Sequence, residues 1–167
     1  MTLLEVGCGS GIYIKQACER NPELNVVGLE YQTKVADFAR SNINKWGIAN
    51  RVSIETKDVR QYKVKGHFNL LTFYNLIYYF PLEERVDLFK FMRGLIKPGG
   101  KLVITTLCKN AEPSISSMDL LYSMTKGCGP LPEKDQLCSQ LENSGFEMID
   151  SNRMMPGFWL FTAINPP

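Results

Sequence analysis

The chain has 167 residues, of which 44% are hydrophobic and 22% are charged, with a formal net charge of +2. This length and composition are typical of one globular domain with a hydrophobic core. The small and dispersed positive charge argues against a nucleic-acid surface, and no apolar run approaches the roughly 18 residues of a membrane span.

The first half of the chain alternates predicted strands and helices. Residues 2–7 form a short, nearly continuous apolar run, which is typical of a strand covered on both faces. Helical spacing follows over 11–21, and a second buried strand is predicted over 24–30. A helix with one apolar stripe is predicted over 33–47, and the alternating residues 51–56 predict a third strand.

The second half continues the same alternation. Residues 68–74 predict a fourth, more apolar strand, and 82–96 predict a helix that ends at a Pro-Gly turn. A fifth strand is predicted over 101–107, and a helix over 133–145. Strands that alternate with helices predict a mostly parallel sheet with right-handed crossovers.

Two further strands, 146–152 and 158–164, close the chain without a helix between them. Their short link permits only an antiparallel pair. We therefore predict an α/β, Rossmann-like, doubly wound fold. It has a mostly parallel seven-stranded sheet with a C-terminal antiparallel strand pair, in a single domain over residues 1–167.

The cysteines bear on the compartment and on metal binding. None of the five forms a CxxC pair or a metal-binding spacing: Cys8, Cys18, Cys108, Cys128 and Cys138. An odd number without a framework is typical of reduced thiols in the cytosol. The N-terminus also lacks a basic-then-apolar secretion signal. We therefore expect a soluble, cytoplasmic protein without a metal site or a membrane partner.

A glycine-rich turn follows the first strand, where open α/β sheets bind their ligands. Gly7, Gly9 and Gly11 give the spacing GxGxG, whereas dinucleotide enzymes use GxGxxG. Glu5, just before the turn, would repel a pyrophosphate. A carboxylate at this point favours a ligand with a positive charge, such as the ammonium group of an amino acid.

Two further acids end the neighbouring strands. Glu30 ends the second strand, where a carboxylate can accept hydrogen bonds from both ribose hydroxyls. Asp58 follows the third strand, where it could accept a hydrogen bond from an adenine amino group. With Glu5, these acids indicate an adenosine that carries an amino-acid tail and no phosphates.

These motifs resemble those of class I S-adenosylmethionine-dependent methyltransferases. The segment "LLEVGCGSG" resembles the first motif of that family, "VVGLE" its second-strand acid and "TKD" its adenine-side acid. The segment "FNLLTFYNLIYYFP" is similar to its fourth-strand region, and "DLLYSM…LPEKDQLCSQLENSGF" to its small-molecule O-methyltransferase branch. The resemblance covers nearly the whole chain and implies S-adenosylmethionine as the cofactor.

The resemblance also implies a role for each matching residue. Glu5 would contact the methionine ammonium group, and the glycines of the turn would line the methionine tail. Glu30 would bind the ribose, Asp58 would face the adenine, and Asn75 would hold the methionine end by its backbone. The predicted cofactor-binding residues are Glu5, Gly7, Cys8, Gly9, Gly11, Glu30, Tyr31, Asp58, Val59 and Asn75.

The implied function is methyl transfer to a small-molecule substrate. Small-molecule O-methyltransferases typically place a histidine base three residues beyond the asparagine that follows the fourth strand. That position is Tyr78 here, and a tyrosine with an ordinary pKa of about 10 is a poor base at neutral pH. The acceptor atom therefore stays open between oxygen, carbon and nitrogen, and Tyr78 and Tyr79 are predicted to position the substrate.

Two other classes of protein remain open. The chain begins at the first strand, without the helices that usually precede it in this family. The resemblance therefore implies a partial chain, or a cover supplied by a homodimer partner or another subunit. With the missing histidine, this favours a binding-only or inactive methyltransferase fold as the alternative. An NAD(P)-dependent oxidoreductase is disfavoured by GxGxG and by Glu5.

Overall fold

The computed structural model describes residues 1–64, 66–110 and 112–167, and its strands form one seven-stranded sheet. The strands are β1 (Thr2–Val6), β2 (Asn25–Glu30), β3 (Val52–Thr56), β4 (Phe68–Tyr74), β5 (Ile96–Leu107), β6 (Glu147–Met155) and β7 (Phe158–Ile164). The helices are α1 (Ile12–Arg20), α2 (Thr33–Lys45), α3 (Arg85–Leu95), α4 (Pro113–Met124) and α5 (Lys134–Asn143).

The sheet order is β3-β2-β1-β4-β5-β7-β6. Strands β1 to β5 pair in parallel, and β7 pairs antiparallel with both β5 and β6. This confirms the predicted fold class, including the antiparallel pair at the end of the chain. The chain order reverses between β1 and β4, so their carboxyl ends form the switch point at which α/β sheets bind ligands.

Both faces of the central sheet are buried. Leu4, Phe73 and Ile104 are fully buried on the face that packs against α3 and α5. On the other face, Ile14 of α1 and Ile43 of α2 pack in a second cluster over β1, β2 and β3. Burial on both faces explains the apolar runs of these strands, and it fixes their carboxyl ends side by side.

The second face is less well covered over β5 and β7. Val103 pairs with Thr162 and Thr105 pairs with Leu160, and all four residues are half-buried. Among the described residues, none of the four joins a hydrophobic cluster. This half of the sheet therefore presents a surface that α/β proteins normally cover with helices.

The structure corrects two boundaries and adds one helix. Strand β5 starts at Ile96, five residues before the predicted start, because Ile96 pairs with Phe68 before the register shifts at a bulge. Helix α3 starts at Arg85, after a short 3₁₀ helix. The sequence pattern predicts no element where α4 lies, since its apolar residues form no single stripe. Ile115 is buried while Leu120 and Leu121 are exposed.

The described helices include none that is both long and apolar enough to cross a bilayer. All five cysteines are free thiols.

Two glycines near the β5 bulge are expected to respond oppositely to alanine. A Cβ at Gly100 would lie 2.5 Å from Ile96 Cγ2 and 2.9 Å from the Lys97 carbonyl oxygen. Gly100→Ala should therefore lower the free energy of unfolding by about 1–3 kcal/mol. Gly94, on α3, has no neighbour within 4 Å of such a Cβ, so Gly94→Ala should raise it by about 0.5–1 kcal/mol. Urea unfolding measures the free energy of unfolding of both variants. A change in the same direction in both would contradict the prediction.

Candidate functional site

A cavity of about 570 Å³ opens at the carboxyl ends of β1 to β4. Its walls are the loops that follow these four strands, so residues far apart in sequence meet there. Seven of the ten predicted cofactor residues line it: Gly7, Gly9, Glu30, Tyr31, Asp58, Val59 and Asn75. The other three, Glu5, Cys8 and Gly11, lie outside its lining. Contact with a cofactor stays a prediction for all ten residues.

The glycine turn brings the backbone close to the opposite wall of the cavity. Gly7 has a φ of +66°, in the left-handed region, and a Cβ there would lie 2.4 Å from Leu76 Cδ1. Any larger residue would therefore be strained and would collide with the loop after β4. Gly11 precedes α1 and is also left-handed, so the turn leads directly into the helix.

Glu30 ties the glycine turn to the end of β2. The Gly9 N–H donates to Glu30 Oε2 at 3.1 Å, and the Gln32 N–H donates to Oε1 at 3.0 Å. Each carboxylate oxygen can accept a second hydrogen bond. Glu30 therefore holds the turn and still presents acceptors at the cavity wall, as a ribose diol requires.

Asp58 is held by a partner that the sequence pattern does not reveal. Its side chain is 15% exposed, and the Arg60 Nη2 donates to Oδ2 at 2.7 Å. The hydrogen bond from the Arg60 side chain lowers the pKa of Asp58 and outweighs its partial burial. Asp58 is therefore an ionised acceptor with a fixed orientation, and Arg60 lines the same cavity.

Glu5 lies on β1 beneath the glycine turn and is 2% exposed. Burial raises the pKa of its carboxyl to about 8, with no hydrogen bond or charge to offset this effect. Its register partner on β4 is Thr72, which is 3% exposed and whose Oγ1 has no hydrogen-bond partner. Two buried polar groups thus lie side by side on neighbouring strands, both suited to accept hydrogen bonds from a cation.

Asn75 takes an unusual backbone conformation at the end of β4. Its φ is +55°, which is uncommon for a residue other than glycine and which asparagine tolerates better than most. Its N–H donates to the Thr105 carbonyl oxygen at 2.7 Å. The left-handed turn directs the chain from β4 into the cavity wall, where Asn75 lies.

The structure places the two tyrosines that are predicted to position the substrate in different environments. Tyr79 is 52% exposed and lines the cavity, whereas Tyr78 is 8% exposed and stacks on Tyr122 with ring centroids 4.3 Å apart. Burial and a hydrogen bond with Tyr122 raise the pKa of Tyr78 above its ordinary value, which excludes it as a base at neutral pH. The short 3₁₀ helix Ile77–Tyr79 decides which ring faces the cavity.

The described residues offer neither a reactive cysteine in the glycine turn nor a cluster of metal ligands. Burial, followed by the charges of Glu5 and Glu30, raises the pKa of Cys8 to about 12, so its thiol stays protonated. The one histidine, His67, precedes β4 and so lies at the end opposite the cavity. No group of three or more potential metal ligands occurs in these parts of the chain.

These features define an α/β domain with a ligand-sized cavity at the switch point of its sheet. Residues 3–100, more than half of the chain, match the methyltransferase domain family. The chain belongs to this family and is a class I methyltransferase domain, and S-adenosylmethionine is its cofactor.

Two curated relatives and one solved structure are similar to this chain. The malonyl-[acyl-carrier protein] O-methyltransferase 2 of Ilyobacter polytropus is 24% identical over 121 residues, which are 70% of this chain and 45% of that protein. The ubiquinone biosynthesis O-methyltransferase of Coxiella burnetii is 24% identical over 160 residues, which are 89% of this chain and 64% of that protein.

The crystal structure of a putative O-methyltransferase from Nostoc punctiforme has the same fold, with a TM-score of 0.89 and 16% identity. The likeness covers 98% of this chain and 52% of that one. The chain thus spans about half the length of that protein and between 45% and 64% of the two relatives.

Proposed function

We propose that this domain transfers a methyl group from S-adenosylmethionine to a small-molecule acceptor. One observation carries the proposal: Asp58 and Glu30 lie in the wall of one cavity, and the buried Glu5 and Thr72 lie side by side on β1 and β4, two of the strands that lead to that wall. Groups suited to an amino group, to hydroxyls and to an ammonium group therefore follow one another at β3, β2 and β1, in the order of the adenine, ribose and methionine parts of S-adenosylmethionine.

The residues of the chain would bind and orient the cofactor and the acceptor rather than activate the acceptor chemically. Bound S-adenosylmethionine supplies an electrophilic methyl group on a sulfonium with a neutral leaving group. Glu5 would hold the ammonium group, Glu30 the ribose and Asp58 the adenine, while Tyr79 would contact the acceptor. Alignment of the two reactants and exclusion of water can supply much of the rate enhancement of such a displacement.

We propose that the acceptor already carries a nucleophilic group when it binds. Tyr78 is unsuited as a base, and His67 lies at the opposite end of β4. Burial also raises the pKa of Tyr79. An acceptor that is already nucleophilic at neutral pH, such as a carboxylate, an ionised acidic hydroxyl or an aromatic amine, needs no base from these residues.

A binding-only protein is the second candidate, favoured by the half-buried face of β5 and β7. Val103, Thr105, Leu160 and Thr162 are only half-buried, and within the described residues they belong to no hydrophobic cluster. Tyr31, at the cavity, is 75% exposed. We propose that catalysis requires a cover over this region, from further residues of the same protein, a homodimer partner or another subunit.

Calorimetry with S-adenosylmethionine, S-adenosylhomocysteine and NAD⁺ tests the proposal. Both sulfur nucleosides should bind with a stoichiometry of one, and NAD⁺ should not bind at the same concentrations, since the glycine turn has the spacing GxGxG instead of the GxGxxG of dinucleotide sites. Binding of NAD⁺ alone would overturn both candidates. Transfer of labelled methyl to small acids, phenols or amines then separates the enzyme from the binding-only protein.

A further inference from the structure

Arg60 lies in the cavity wall and connects two loops of the site. It belongs to the short 3₁₀ helix Val59–Gln61 that follows β3. Its Nη1 lies 3.4 Å from Glu84 Oε2, and its guanidinium lies 5.6 Å from the centre of the Phe80 ring. Phe80 and Glu84 follow β4, so one side chain spans the walls contributed by two separate strands.

The contacts between Arg60 and Asp58 restrict what Asp58 can still accept. Oδ1 accepts from the Arg60 backbone N–H at 2.9 Å and from Nε at 3.1 Å. Oδ2 accepts from Nη2 at 2.7 Å, with Nε at 3.2 Å. The single Nε–H is shared between the two oxygens, so three donors occupy about three of the four acceptor positions of the carboxylate and leave one position on Oδ2.

We propose that Arg60 is a positioning residue that sets the purine specificity of this cavity. By fixing the carboxylate of Asp58, it presents one acceptor that fits the exocyclic amino group of adenine. A purine with a carbonyl oxygen at that position would place two acceptors against each other. The inference rests on the proposed function, because it assumes that adenosine occupies the cavity.

A purely structural role would give a different result. The side chain of Arg60 is 54% exposed, and exposed ion pairs of this kind contribute little to stability. The loss of Arg60 should therefore leave the melting temperature within about 2 °C of the wild type. If the ion pair served only stability, its loss would not change the relative affinity of the protein for two purines.

The test compares S-adenosylhomocysteine with S-inosylhomocysteine, which carries a carbonyl oxygen in place of the amino group. We expect the wild type to prefer the adenine compound by about tenfold or more. Arg60→Gln should reduce this preference to about threefold or less, because the carboxylate can then rotate. Arg60→Lys should give an intermediate preference, since one ammonium group cannot bridge both oxygens.

Arg153→Gln is the matched control. Arg153 is 52% exposed and pairs with Glu112 at 3.0 Å, as an ion pair outside the cavity lining. This variant should keep the wild-type preference. An unchanged ratio in Arg60→Gln, whether or not both affinities fall, would overturn the inference, as would a wild type that prefers neither base. A wild type that binds neither compound would instead contradict the proposed function.

Discussion

Glu5→Gln is expected to raise the free energy of unfolding at pH 8.5 by up to about 5 kcal/mol, and to change it little at pH 5. Burial raises the pKa of Glu5 from 4.5 to about 8, so the folded state binds this proton more tightly than the unfolded state. The wild type therefore has its full stability below pH 4.5 and loses stability as the pH rises to 8. Glutamine at position 5 cannot ionise, so the variant does not lose this stability as the pH rises.

Urea unfolding of both proteins at pH 5, 7 and 8.5 measures the effect. Glu19→Gln is the control, because Glu19 is exposed on α1 and pairs with Lys15 at the surface. Its effect should stay below about 1 kcal/mol at each pH. Parallel stability curves for wild type and Glu5→Gln between pH 5 and 8.5 would show that the buried carboxyl titrates normally.

At pH 8.5 the same variant should bind S-adenosylhomocysteine less tightly, although it is more stable. At pH 6 an ammonium ligand must first ionise Glu5, whereas at pH 8.5 the carboxylate is already largely charged. The ratio of wild-type to variant affinity should therefore rise from near unity at pH 6 to about tenfold at pH 8.5. Titration of the ligand itself cancels in this ratio. A ratio independent of pH would remove Glu5 from the ammonium site.

The sequence predicts much of this architecture because the signals are local. Each buried parallel strand is a short apolar run, and right-handed crossovers leave few ways to connect such strands. The carboxyl ends of parallel strands then meet at one edge. For that reason the positions of Glu30 and Asp58 at two strand ends are enough to predict a shared site, and both residues line the same cavity.

The features that the sequence does not reveal depend on contacts between distant loops. Arg60 contacts Glu84, 24 residues later, because the loops after β3 and β4 meet. No local pattern signals that contact. Tyr78 and Tyr79 are likewise adjacent and chemically identical, and only the turn of a 3₁₀ helix separates a buried stack from a cavity wall.

Glu30→Ala is expected to weaken S-adenosylhomocysteine binding by about 30-fold or more. Hydrogen bonds to a charged group contribute about 1.5–3 kcal/mol each, and a diol can donate two of them to one carboxylate. Calorimetry measures the loss. Glu55→Ala is the control, since Glu55 lies near the end of the adjacent β3, pairs with Lys57 and does not line the cavity. The affinity of Glu55→Ala for S-adenosylhomocysteine should match that of the wild type.

The loss in Glu30→Ala has two sources, because Glu30 also accepts from the N–H groups of Gly9 and Gln32. A 2′,3′-dideoxy analogue of S-adenosylhomocysteine separates them, as it lacks both ribose hydroxyls. If Glu30 binds the ribose, wild type and variant should bind this analogue with affinities within about threefold of each other. An equally large loss for both ligands would show that Glu30 acts only by holding the glycine turn. The ribose would then be bound by other residues.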